Sequence, residues 1–185
     1  MIKHYQTQLI QTERLLLKKG AIDDYIAVYE YDFTKLRDID GEFEYQKNDP
    51  EEIKNWFAPE IDNEAAHIFD WVIYLKENMT PIGDMLADRE DGDSIEIAFN
   101  LHPNYWGNGY MPEAIEAVVN YLFELGFENI MSGYSDGNVK SKRVLEKTGF
   151  EHYVIEKNAW MKNGKPIDDS KVRRVRELSK ASVIE

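Results

Sequence analysis

The 185-residue chain contains no cysteine. That absence excludes every cysteine nucleophile, so a cysteinyl acyl-enzyme is impossible. It also fits a reducing, cytoplasmic compartment. Long apolar runs are missing too, and nothing approaches the roughly 20 residues that a membrane-spanning helix needs. The start, Met-Ile-Lys-His-Tyr-Gln-Thr-Gln, carries no signal-peptide apolar core. Positive charge is scarce: 22 Lys and Arg face 35 Asp and Glu, a formal net charge of −13. Such a surface repels nucleic acid and anionic membrane and attracts cationic molecules, while also serving solubility. The four histidines, His4, His67, His102 and His152, include no i,i+4 pair and form no metal set. No internal repeat and no low-complexity linker interrupts the chain. With 43% hydrophobic residues, this length suffices for one domain, 1–185, around a sizeable core.

Residues 95–117 organise what is present: Ile-Glu-Ile-Ala-Phe-Asn-Leu-His-Pro-Asn-Tyr-Trp-Gly-Asn-Gly-Tyr-Met-Pro-Glu-Ala-Ile-Glu-Ala. Ile95, Ile97 and Phe99 alternate with Glu96, Ala98 and Asn100, the period of a half-buried strand. Pro103 ends the ladder because it has no N–H to donate. Gly107 and Gly109 permit positive φ or close approach of another molecule. Pro112 suits the first turn of a helix, and Ile115, Val118, Val119 and Leu122 form its apolar face. A glycine loop feeding a helix N-terminus leaves N–H groups pointing outward, an anion site suited to phosphate. Neither G-x-G-x-x-G nor G-x-x-x-x-G-K-[ST] is present. Without the Walker lysine and threonine, the expected ligand is a diphosphate cradled by backbone. The bland reading is a plain strand–turn–helix, and the two glycines alone favour it.

Within this stretch, residues 104–114, Asn-Tyr-Trp-Gly-Asn-Gly-Tyr-Met-Pro-Glu-Ala, resemble the acyl-CoA pyrophosphate loop of the GNAT superfamily of N-acetyltransferases, of the form Q/R-x-x-G-x-G/A. Trp106 stands before the first glycine and Tyr110 after the second. This variant is similar to the RimJ/RimL-like branch, the ribosomal-protein N-terminal acetyltransferases. Residues 137–150, Gly-Asn-Val-Lys-Ser-Lys-Arg-Val-Leu-Glu-Lys-Thr-Gly-Phe, are close to that branch's G-N-x-x-S-x-x-V-x-E-K-x-G-F. The resemblance covers nearly the whole chain and is diffuse before about Phe69.

Elsewhere the pattern is conventional. Leu15 and Leu17 alternate in a first strand over 12–18. Asp23-Asp24 opens a helix with Ile26, Val28 and Tyr29. Asp49-Pro50-Glu51-Glu52 opens another, with Ile53, Trp56 and Phe57 on its buried face. Phe69, Trp71, Ile73 and Leu75 alternate; turns at 77–80 and 91–93 then link three strands into an antiparallel meander ending in 94–100. A helix over 112–125, a strand over 130–134 and a helix over 140–147 ended by Gly149 follow. Segments 153–156 and 159–161 are extended, 162–165 is a hairpin turn, and 171–178 is a last strand with an unusually basic Arg173-Arg174-Val175-Arg176. This alternation predicts an α/β (α+β) three-layer domain.

The resemblance implies a mixed, mostly antiparallel central sheet flanked by helices, with the strands at 94–100 and 130–134 splayed. Their open edges would bind the pantetheine amides of acetyl-CoA. It implies cofactor contacts from Phe99, Asn100, Leu101, Trp106, Gly107, Asn108, Gly109, Tyr110, Met111, Asn138 and Ser141, with no metal. Acceptor contacts are expected in 32–47, between the two early helices; a solvated connection is the bland alternative there.

Aminolysis of a thioester needs a neutral amine, donors for the oxyanion, and a proton for the departing thiolate. An alkyl amine is mostly protonated near neutral pH, so a base is required. Glu96 resembles the glutamate common in this branch and is the candidate base, directly or through water; otherwise it is a glutamate on a strand's polar face. Ser141 is the candidate donor to the thiolate, with Tyr134 and Tyr153 as substitutes; otherwise it is a helix-terminal serine. Asn138 doubles as a turn or capping asparagine, and His102 reads as a turn histidine. The acceptor is a small or peptide amine: a protein N-terminus fits the branch, a polyamine or aminoglycoside fits the acidic balance. Neither nucleic acid nor membrane is an expected partner. Two other classes fit the same stretch: a non-catalytic acyl-CoA-binding or regulatory module on the same fold, and a nucleotide-binding protein using the glycine loop, against which the missing Walker residues weigh.

Overall fold

The computed structural model describes residues 6–30, 49–61, 68–89, 91–162 and 164–177. Eight strands form one sheet: β1 (Ile10–Gln11), β2 (Leu15–Lys18), β3 (Ile68–Leu75), β4 (Pro81–Arg89), β5 (Ser94–Leu101), β6 (Asn129–Ser135), β7 (Glu151–Lys162) and β8 (Lys165–Val175). Their order is β1-β2-β3-β4-β5-β6-β8-β7. Every neighbouring pair is antiparallel except β5 and β6. Among the described residues, four α-helices flank the sheet: α1 (Ile22–Tyr29), α2 (Pro50–Ile61), α3 (Tyr110–Glu124) and α4 (Val139–Lys147). This is the expected mixed, mostly antiparallel α/β arrangement, including the meander β3–β4–β5.

The two faces of the sheet carry different cores. Trp71, Ile73, Ile95 and Ile97 point toward α3, where Ile115, Val118, Val119 and Leu122 are fully buried, and Leu145 of α4 joins them. The 3.6-residue period of α3 puts those residues on one stripe, opposite the alternating residues of the strands. Trp71 stacks on Phe69 with centroids 5.4 Å apart and meets Tyr121 edge-on at 6.1 Å. Its indole N–H donates to the Gln8 carbonyl at 2.8 Å, which pairs the one polar atom that burial would otherwise orphan. On the other face, Val72 and Tyr74 pack with Tyr25 and Val28 of α1 and Ile53 of α2.

The helix starts follow the capping residues. Asp24 Oδ2 accepts the Ala21 N–H at 2.8 Å, and Asp49 Oδ1 accepts the Glu51 N–H at 3.0 Å. Several boundaries differ from expectation. The strand expected over 12–18 starts only at Leu15, and a short β1 precedes it, because Thr12 turns the chain, its N–H reaching the Leu15 carbonyl at 3.0 Å. The buried face of α1 is Tyr25 and Val28; Ile26 and Tyr29 are only partly covered. α3 starts at Tyr110, two residues before its proline. β7 runs unbroken through its two expected pieces, absorbing the interruption in register irregularities, and β8 begins at Lys165 rather than 171. The basic run at its end is engaged: Arg174 Nη1 reaches Glu116 Oε1 at 2.8 Å and the Thr148 carbonyl at 2.9 Å. The side chain of Trp56 and the segment 32–47 lie outside the described residues.

Because Ile115 sits at the centre of the α3 contact, Ile115→Ala should lower stability by about 2–5 kcal/mol. Urea unfolding checks it: the midpoint should fall with the slope unchanged. A loss below about 1 kcal/mol would contradict the packing of α3 on the sheet.

Candidate active site

The ladder between β5 and β6 is short. It pairs Ser94 with Asn129, Ile95 with Ile130 and Glu96 with Met131, then stops, although both strands continue. Beyond this point the strands part, as expected. Ser132 Oγ donates to the Ile97 carbonyl at 2.9 Å, replacing one lost backbone partner with a side chain. Backbone groups of residues two apart point the same way in a strand, so the N–H and C=O of Phe99 face the opening that Ile97 faces.

The loop that follows is held by its own hydrogen bonds. A 3₁₀ turn, Pro103–Tyr105, is capped by His102, whose Nδ1 accepts the Asn104 N–H at 3.2 Å. Burial pulls the His102 imidazole below its usual pKa, in keeping with a neutral acceptor at that turn. Trp106 folds back, its Nε1–H donating to the Leu101 carbonyl at 2.7 Å, and Lys140 Nζ lies 3.6 Å from its ring centroid. Asn108 Nδ2 donates to the carbonyls of Tyr105 and Trp106, each at 3.1 Å. Gly107 and Gly109 both have φ of 79°, the left-handed region that L side chains rarely occupy. A Cβ at Gly107 would meet nothing within 4 Å, so the backbone there is open to a ligand.

The consequence is a row of donors. The N–H groups of Gly107, Gly109, Tyr110 and Met111 have no acceptor among the described residues. Their clustering at the start of α3 adds the positive end of the helix dipole. At the neighbouring helix, Asn138 Oδ1 accepts the Ser141 N–H at 2.9 Å and caps α4. Ser141 is half-buried at that first turn, with no side-chain partner among the described residues.

Glu96 lies on the opposite face of the sheet from Ser132 and Tyr134. Its register partners Asp88 and Met131 share that face, as does Asn100 four residues on. Glu96 Oε1 is 3.6 Å from Lys171 Nζ, which is 3.2 Å from Asp169 Oδ2. Burial pulls the Lys171 ammonium down, but Asp169, Glu96 and Glu156 outweigh it and hold the pKa above the usual lysine value. Lys171 is therefore a charged resident of this face.

Not every expected residue meets the opening. The Asn100 side chain turns to Asp84, 3.5 Å away, and its backbone carbonyl faces Gly83 of β4, so it does not present itself to the cofactor side. Leu101 spends its carbonyl on Trp106. The Met111 side chain is in the core, which leaves its N–H as the available group. Tyr134 stands on β6 at the opening. Tyr153 lies on β7, two strands from β6, with its ring on the Arg173 guanidinium at 4.8 Å. His4 and His67 lie outside the described residues, and no group of His, Cys, Asp or Glu among the described residues could hold a metal. Arg14, Lys140 and Lys171 were not legible as site residues. Arg14 contacts the loop from 94 residues away, and such contacts leave no local periodic trace.

Parted parallel strands, a glycine loop with outward-facing donors and two helix N-termini at one end could hold an extended ligand with a phosphate group. Comparison with known proteins places the class. Residues 14–151 match the Acetyltransferase (GNAT) domain family, and the chain belongs to that family; it is an acetyl-CoA-dependent N-acetyltransferase. A protein named Uncharacterized N-acetyltransferase YnaD, from Bacillus subtilis, is 29% identical over 162 residues, covering 82% of this chain and 91% of its own. A GNAT-family acetyltransferase from Bacillus anthracis superposes with a TM-score of 0.75 at 24% identity, covering 91% of this chain and 98% of its own. RimL, the ribosomal L7/L12 α-N-protein acetyltransferase solved with coenzyme A, superposes with a TM-score of 0.76 at 15% identity, covering 91% and 98%. At these identities the two structures speak to the fold. No helix among the described residues is long and apolar enough to cross a membrane.

Gly109→Val puts a β-branched residue at φ 79° beside Arg14 Nη2, which lies 3.5 Å from where a Cβ would stand. It should weaken coenzyme A binding by about tenfold or more, with the surface loop leaving the fold largely intact. Calorimetric affinity equal to wild type in a folded variant would refute the loop assignment.

Proposed function

We propose that the chain transfers the acetyl group of acetyl-CoA to a primary amine by direct attack within a ternary complex. The observation that carries the reading is the parting of β5 from β6 beside the N–H groups of Gly107, Gly109, Tyr110 and Met111, which have no acceptor among the described residues. Those donors suit a pyrophosphate, and the N–H and C=O of Phe99, beyond the end of the β5–β6 ladder, suit a pantetheine amide. In this reading Trp106, Asn108 and Tyr110 shape the loop, and Asn138 fixes the start of α4.

The two sides of the opening divide the work. On the α1–α2 face, Glu96 takes the proton that makes the incoming amine nucleophilic. On the α3 face, Ser141 donates a hydrogen bond to the sulfur as the thiolate leaves. A serine has no matched pKa, so its contribution is modest, and positioning supplies much of the rate. No cysteine exists to carry the acetyl group. Asp84 and Asp88 lie with Glu96 on the acceptor face, which favours a positively charged amine. A polyamine, another small amine and a protein N-terminus all meet that description; RimL, whose acceptor is a protein N-terminus, shares the fold.

Release of free thiol from acetyl-CoA in the presence of an amine panel tests the proposal, and no turnover with any amine would overturn it. Glu96→Gln should lower the rate by about 10²–10⁴-fold, with the defect shrinking at high pH, where the amine is already neutral. A pH-independent loss would assign Glu96 an orienting role instead. Ser141→Ala should lower kcat, leave acetyl-CoA affinity nearly unchanged and retain measurable activity. A stoichiometric acetyl group on Ser141, formed without acceptor and released to amine at a competent rate, would overturn direct transfer.

A further inference from the structure

We infer that Arg14 is a positioning residue for coenzyme A: it holds the peptide between Asn108 and Gly109 so that the Gly109 N–H faces the pyrophosphate. The inference rests on the acetyl-CoA reading of the loop and adds to it a residue from the other end of the chain.

Arg14 lies in the turn between β1 and β2, and its side chain crosses to the start of α3. Nη1 donates to the Asn108 carbonyl at 2.9 Å. Nε donates to Glu113 Oε2 at 2.7 Å, and Nη2 pairs with the same oxygen at 2.7 Å. The guanidinium carbon lies 4.6 Å from the Tyr110 ring centroid. Glu113 is fixed in turn: its Oε1 accepts the Arg14 backbone N–H at 2.9 Å and the Thr12 hydroxyl. Burial pushes the Glu113 carboxyl up, but the donors from Thr12 and Arg14 outweigh it and hold the pKa below the usual value. The pair is therefore ionised at neutral pH. Its charges cancel, and each nitrogen of the guanidinium has given one N–H to an acceptor. Three of its five N–H groups are thus committed to the loop and to Glu113.

Its effect passes through one peptide plane. In a trans peptide the C=O and the following N–H point in opposite directions. With the Asn108 carbonyl drawn to Arg14, the Gly109 N–H must point away from Arg14, to the side where it has no acceptor among the described residues. Glycine populates both signs of φ with little penalty, so nothing intrinsic to Gly109 prevents that plane from turning over. Turned over, it would aim a carbonyl oxygen at an anion. The fork of Arg14, reaching Asn108 and Glu113 together, selects the productive orientation. A lysine has one point of charge and cannot span both acceptors in that geometry.

The test uses two thioesters that differ in the pyrophosphate: acetyl-CoA, and acetyl-pantetheine, which lacks the nucleotide and both phosphates. Arg14→Met should raise the coenzyme A Kd and the acetyl-CoA KM by about tenfold or more, the scale of a lost hydrogen bond to a charged group. It should leave kcat and the kcat/KM for acetyl-pantetheine within about twofold of wild type. Arg14→Lys should recover only part of the loss. Should Arg14→Met fail to fold, Glu113→Gln, which keeps the shape and frees the guanidinium, should show the same selective loss at smaller size. Equal losses for both thioesters would make Arg14 merely structural, and full rescue by lysine would make its role simple charge; either overturns the inference. So does unchanged coenzyme A affinity in the variant when the wild type binds. A wild type that binds no coenzyme A would instead overturn the acetyltransfer reading, and this inference with it.

Discussion

The structure depends on one failure of pairing. β5 and β6 are the only parallel neighbours among the described strands, and they hold together only as far as Glu96 and Met131. Parallel strands joined by a crossover helix run in one direction, so the helices that follow them start at the same end of the sheet. α3 follows β5 and α4 follows β6. The opening and both helix N-termini are thereby gathered in one place. Had the ladder continued, Phe99 would have had a strand partner and the wedge between β5 and β6 would have closed. The hydroxyl of Ser132 on the Ile97 carbonyl shows how the break is tolerated: a side chain takes over where the backbone partner is lost.

The same break gives the sheet two chemically distinct approaches. Toward α3 the strands present Ile95, Ile97 and Ile130, all fully buried, with Ser132 as a buried polar group. Toward α1 and α2, β4 and β5 present Asp84, Asp88 and Glu96. An extended thioester and a cationic amine have opposite solvation needs. On the proposed mechanism, a sheet parted in the middle lets them meet from opposite faces without sharing a pocket. The order of the first strands matters here too. β1 and β2 are at the far edge, yet their turn supplies Thr12 and Arg14 to Glu113, so that edge and the glycine loop are tied together.

What was legible in the sequence follows from the range of the interactions. The period-2 run at Ile95–Phe99, the period-3.6 run at Ile115–Leu122, the proline-marked helix start at Pro50 and the glycines of the loop are local signals, and each element appears where they put it. The break in β5–β6 was legible only through resemblance, since periodicity says nothing about where a ladder stops. β8 was expected over 171–178 and begins at Lys165; its first half is held across the hairpin, where Asp168 pairs with Lys157 and accepts the Asn158 N–H at 3.0 Å. Asn100 sits in the right strand with the wrong outlook: the side chains of Glu96 and Asn100 share a face, but the backbone of Asn100 serves β4. Lys171 and Arg14 act across strands distant in sequence, and no spacing rule could have joined them to Glu96 or Asn108.

Lys171 sharpens the chemistry proposed for Glu96. An amine already stands 3.6 Å from that carboxylate, which raises the question of why it would not itself become the acceptor. Its surroundings answer. Asp169, Glu96 and Glu156 together hold the ammonium above its usual pKa, so its lone pair is engaged by a proton and attack on a carbonyl carbon is suppressed. An incoming amine meets a different balance. It arrives charged, is drawn by the same carboxylates, and competes with Lys171 for Glu96 while Asp169 remains as Lys171's nearer partner. In the proposed mechanism, displacing Lys171 toward Asp169 leaves Glu96 for the newcomer while Lys171 keeps a carboxylate partner. On the proposed mechanism, selectivity for a cationic acceptor then follows from an ion pair that needs a cation to replace the one it releases.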